Sequence, residues 1–206
     1  MLRFNFFNIP IRVQLLFWLS AFFIAGGLQM RDTPDWGFIL LKMGIVFLSI
    51  FVHELGHASA SIYWGGRPQV ELHALGGVTL LGHNAFTRWQ HLGITCAGPL
   101  ASVFLAAICF FIYPYSELAL RGVLSFAIWI NVIWTLFNLL PILPMDGGQI
   151  LRGLLGPERM RWSCVIGMIA AILLAVWAAL IGFYFMAAIL GYFAYMNYKG
   201  YGQEIR

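Results

Sequence analysis

Residues 51–60 read FVHELGHASA, with three ionisable side chains inside an apolar run. Between Lys42 and Arg67 lie 24 residues, and Glu54 is the only formally charged one, flanked by His53 and His57. An apolar run of that length exceeds the ~20 residues that carry a helix across a bilayer. A carboxylate and two imidazoles are expensive there, and ionisable groups inside a span are by default functional. On a helix, positions i and i+4 share a face, so His53 and His57 can offer two nitrogens to one metal. Glu54 lies one position round, able to reach a water without ligating. That is the chemistry of H-E-x-x-H: the metal lowers the pKa of water and the carboxylate takes its proton. The plain structural alternative is three buried polar residues bonded to one another.

The rest of the chain supports a membrane setting. Of its 206 residues, 61% are hydrophobic and 10% charged, against about 25% charged in soluble domains. A net charge of +4, scattered along the chain, leaves no footprint for nucleic acid. Six spans are expected, at 13–30, 36–64, 92–112, 122–143, 162–179 and 180–197. Val13–Met30 is longer than a signal-peptide core and reads as a retained first helix. Residues 162–198 carry no charge at all and would measure roughly 55 Å as one helix. The hydrocarbon core is only ~30 Å thick, so a hairpin near Gly182 is predicted. Gly167, Ala171, Ala175 and Ala179 form a small-residue seam of the kind that lets membrane helices approach.

Basic residues give the orientation. With the N-terminus inside, Arg3, Arg12, Arg67, Arg88, Arg152, Arg159, Arg161, Lys199 and Arg206 are cytoplasmic, and Arg31, Lys42 and Arg121 lie opposite. The expected fold is therefore an all-α polytopic membrane protein of about six helices. It forms one domain over 1–206, in a prokaryotic plasma membrane, with both termini cytoplasmic. Cys96, Cys109 and Cys164 fall in apolar runs without metal-type spacing and read as reduced packing residues.

Two segments depart from plain helix. Within loop 65–91, VELHALGGVTLL reads as two short strands around Gly76-Gly77, a membrane-associated β-hairpin between the second and third spans. Residues 137–153 read FNLLPILPMDGGQILRG. Pro141 and Pro144 break the fourth span near its cytosolic end, and Gly147-Gly148 permit a turn. Catalytic zinc usually takes three protein ligands. His73, His83 and His91 are loop candidates for the third, and Asp146, in its Pro/Gly frame, is a better one. The bland role for Asp146 is to cap the helix that follows Gly148.

HELGH at 53–57 and NLLPILPMDGG at 138–148 together resemble the site-2 protease family of intramembrane zinc metalloproteases. NIPIRVQLLFW at the start, LGGVTLLG in the hairpin and AGPLAS opening the third span are weaker echoes. The chain looks like a compact form without a PDZ or CBS domain. Leu143 stands where a proline is often seen, Met145 where leucine is usual, and Ser102 at the usual asparagine position. The resemblance implies that His53, His57 and Asp146 bind one catalytic zinc, with Glu54 as general base and acid. Asn138 is a candidate oxyanion donor. The implied substrate is a transmembrane protein, cleaved within or near its span in the lipid bilayer, with control from a regulatory membrane partner. The alternative is a non-catalytic membrane scaffold or chaperone that keeps the protease fold.

Overall fold

The chain opens with an alternation: Ile9, Ile11 and Val13 are buried while Pro10 is exposed, the period-2 pattern of a strand with one covered face. A computed structural model describes residues 1–27, 35–82 and 85–203. Met30, Arg31, His83 and Arg206 lie outside the described residues. The description falls into two units, residues 1–86 with 97–135, and 87–96 with 136–206.

The first unit starts with strands β1 (Leu2–Phe6) and β2 (Ile9–Val13). They are joined by Phe7 and Asn8, both at positive φ, the backbone of a two-residue hairpin turn. This hairpin was not expected. Pro10 argues against a strand in sequence, but it is tolerated because β2 pairs with β3 only from Ile11 onward. Helices α1 (Leu15–Ile24) and α2 (Trp36–Tyr63) follow, then β3 (Gln69–His73) and β4 (Gly76–Leu80). β2 and β3 run parallel, β3 and β4 antiparallel, and the sheet order is β1-β2-β3-β4. Arg12 and Glu71, register partners on β2 and β3, form an ion pair at 3.0 Å.

The sheet, α1 and α2 share one core, built from Ile11, Val13, Phe17, Ile50, Val70 and Leu72. The expected hairpin is thus present, but as half of a four-stranded sheet. Its turn is Ala74–Leu75, and Gly76 and Gly77 belong to β4. The first expected span also differs. Val13 is strand, and α1 has ten residues, about 15 Å against a ~30 Å core.

α3 (Arg88–Ile112) and α4 (Leu118–Asn138) complete the long helices of this part of the chain. In the second unit, residues 139–145 turn irregularly into α5 (Asp146–Leu155), followed by α6 (Met160–Leu180) and α7 (Tyr184–Gln203). Gly182, at φ +85°, makes the expected turn between the last two. The seam on α6 is shifted: Gly167, Ala171 and Ala178 are buried, whereas Ala179 is exposed. A strict four-residue step drifts around a helix of 3.6 residues per turn, so the covered stripe moves to Ala178. Among the described residues, four helical stretches are long and apolar enough to cross a membrane: Trp36–Tyr63, Arg88–Tyr115, Leu118–Asn138 and Pro157–Leu180. The protein is a mostly helical membrane protein with a small sheet.

Candidate metal centre

His53, Glu54 and His57 lie on the buried face of α2, at 2%, 4% and 8% exposure. Small residues on both α2 and α3 make room for them. A Cβ on Gly98 would collide with the His57 ring, and one on Gly56 would run into the Ala97 carbonyl. This gives AGPLAS a physical meaning: it is the wall that lets α3 lie against the histidines. Ser102, one turn further, bonds His53 Nδ1 at 3.0 Å. With Nδ1–H donating to that hydroxyl, His53 keeps the Nε2 lone pair for a metal.

Glu54 is held from the other side by β4. Thr79 Oγ1 donates to Glu54 Oε2 at 2.7 Å. A Cβ on Gly77 would come within 2.5 Å of Glu54 Cγ. The glycine pair read as a turn therefore serves close approach: Gly76 meets the Trp134 ring in the same way. Sequence reasoning marked Ser102 only as standing where the resemblance expects asparagine, and it missed Thr79; neither hydroxyl's partner is readable until its neighbour is known.

Asp146 is the first residue of α5, at 7% exposure. The helix starts at Asp146 and not after Gly148 as anticipated. Gly147 and Gly148 sit inside its first turn, because the Leu139 and Ile142 backbones pack where their Cβ atoms would be. Asn197 on α7, 1% exposed, braces the preceding loop. It accepts from Leu143 N at 3.3 Å and donates to Leu143 O at 2.7 Å. The last helical pair carries no motif, so this brace too was missed; its trace is one amide in a nearly apolar run.

Among the described residues, His53, His57 and Asp146 form a group that could hold a metal, each offering one ligand atom within 4.8 Å of the others. His53 Nε2 and His57 Nε2 are 3.2 Å apart. Two nitrogens on a tetrahedral zinc, at ~2.05 Å each, would be separated by ~3.3 Å. The donor set and its spacing fit zinc. Asn138, the last residue of α4, is half-buried and outside this group. His73 accepts from Leu75 N, and His91 lies in α3, not in a loop. Among the described residues, Cys96, Cys109 and Cys164 are joined in no disulfide.

Fold and site together define a polytopic membrane protein with a buried His-His-Asp group beside a carboxylate. Residues 114–177 match the model of peptidase family M50. The chain is 28% identical over 158 residues to a zinc metalloprotease of Methanocaldococcus jannaschii, covering 75% of this chain and 45% of that one. A putative zinc metalloprotease of Mycobacterium tuberculosis is 33% identical over 163 residues, with 72% and 40% covered. The solved structure of the site-2 protease from Methanocaldococcus jannaschii is similar over 100% of this chain and 95% of that chain, with TM-score 0.65 and 27% identity. By these matches the chain is similar to the site-2 proteases and to peptidase family M50. It spans less than half the length of these curated relatives.

Proposed function

We propose that this chain is an intramembrane zinc metalloprotease that hydrolyses a peptide bond within or near a transmembrane segment of a membrane-protein substrate. The observation that carries the reading is the His53–His57–Asp146 group with Glu54 beside it. His53, His57 and Asp146 hold one zinc, which when bound supplies Lewis acidity and acidifies water. Glu54 takes the proton of the attacking water at its carboxylate and returns it to the leaving amine. Asn138 donates to the oxyanion. A helical substrate must unwind before attack, since its carbonyls are tied up along the helix, and the unwound stretch joins β4 as an added strand.

The chain acts as one integral-membrane domain with six helical membrane segments. These are the four long apolar helices, α7 with the length to cross, and α1, whose ten described residues reach about half way. Both termini face the cytoplasm of a prokaryotic cell, and a membrane partner regulates access.

The test is zinc content of purified protein per folded chain, wild type beside Asp146→Ala and Glu54→Gln. One zinc in the wild type and in Glu54→Gln, lost or loosened in Asp146→Ala, is expected, with cleavage abolished in Glu54→Gln. Well-folded wild type without tightly bound zinc would overturn the protease reading and favour a scaffold that keeps the fold. Zinc unaffected by Asp146→Ala would move the third ligand elsewhere.

A further inference from the structure

β4 is the last strand in the sheet order, and it meets Glu54 with two successive residues of one face, Gly77 and Thr79. Residues two apart on a strand point the same way, and Val78 and Leu80 between and beyond them are exposed. The Thr79 hydroxyl has one proton to donate. It stands 2.7 Å from Glu54 Oε2 and 3.2 Å from the Glu54 carbonyl oxygen. The nearer, carboxylate oxygen is also the stronger acceptor. Gly77 supplies the other wall, with Glu54 Cγ and Oε1 each 2.5 Å from where a Cβ would stand. Thr79 and Gly77 thus bound and hold the Glu54 side chain on the β4 side.

The backbone of the same strand carries a second role. The turn Ala74–Leu75 makes His73 and Gly76 the closing pair of a two-residue hairpin, which is a hydrogen-bonded pair. Alternation along an antiparallel ladder then turns the amides of Val78 and Leu80 toward β3 and those of Gly77 and Thr79 toward the outer edge. Thr79 accordingly offers its backbone to an added strand and its hydroxyl to the base.

From this juxtaposition we propose that Thr79 is a positioning residue, fixing the Glu54 carboxylate from the strand on which the substrate docks. Through it, docking of an unwound segment and orientation of the base are one event. The proposal rests on the proteolytic reading of Glu54 given above.

The experiment compares wild type, Thr79→Val, Thr79→Ser and Glu54→Gln in the same vesicles. The probe is an internally quenched single-span peptide. Thr79→Val keeps the shape and removes the donor; it is expected to lower kcat about 10- to 100-fold, the loss of one hydrogen bond to a charged group. KM and zinc content stay near wild type, and Thr79→Ser restores kcat. An activity-independent readout uses zinc-depleted protein carrying 13C-labelled glutamate. There the Glu54 carboxylate infrared band, identified by its absence in Glu54→Gln, shifts in Thr79→Val and returns in Thr79→Ser. An unmoved band, a kcat within twofold of wild type in Thr79→Val, or failure of serine to restore it would each overturn the proposal. Failure of the proteolytic reading looks different: wild type and all variants are alike in holding no zinc and cleaving nothing.

Discussion

At the residue scale, two hydroxyls hold side chains of the candidate site: Ser102 bonds His53 and Thr79 bonds Glu54. Ser102 holds His53 by Nδ1 and so turns Nε2 toward His57. Ser102→Ala should leave the helices intact and weaken zinc about 10- to 100-fold, the usual effect of losing a ligand's orienting partner. Titration with a competing chelator reads it; unchanged affinity would make the Ser102 bond incidental. The two histidines and Glu54 were legible from sequence because charge inside a span is costly and the i, i+4 spacing is unambiguous. Ser102 and Thr79 were not, since a small hydroxyl residue in an apolar helix or strand is compatible with packing alone.

At the element scale, the irregular stretch between α4 and α5 decides where Asp146 points. The prolines in the sequence locate this break, and α4 does stop at Asn138. What shapes the break is the close approach of the Leu139 and Ile142 backbones to Gly147 and Gly148, with Asn197 closing the loop at Leu143. Asn197→Leu would leave the Leu143 amide and carbonyl without these partners, at a cost of about 1–3 kcal/mol. A lower thermal midpoint with faster loss of zinc to a chelator is expected. A lower midpoint with unchanged zinc release would confine Asn197 to stability. The hairpin teaches a similar lesson. Its strands are readable in the sequence, but Gly76-Gly77 reads there as the turn because glycine commonly marks one. Here the pair is required by Trp134 and Glu54 packing on β4.

At the scale of the whole molecule, composition and charge distribution govern placement in the bilayer. In the proposed six-span topology nine basic residues lie on the side of the N-terminus and three on the other, the bias that would place the N-terminus inside. In a background with Cys96, Cys109 and Cys164 replaced, a cysteine at Gly182 should label only from outside intact cells. One at Glu158 should label only after the cytoplasmic face is opened. The reverse pattern would invert the topology, and labelling of both from one side would remove a span between them.

By itself the sequence determined that this is a membrane protein, that His53, Glu54 and His57 share a helix turn, and that a break precedes Asp146. These follow from local rules: the energetic penalty of charge in hydrocarbon, the period of a helix, and the backbone limits of proline. The tertiary structure decided the rest. It paired β1 and β2 with the expected hairpin, cut α1 to ten residues, and set Ser102, Thr79 and Asn197 on their partners. The strand pairing and the hydrogen bonds join residues far apart in the chain, 25 positions for Thr79 and Glu54 and 54 for Asn197 and Leu143. A hydrogen bond or a missing Cβ acquires its meaning only from the atom brought against it, and periodicity carries no information about that atom.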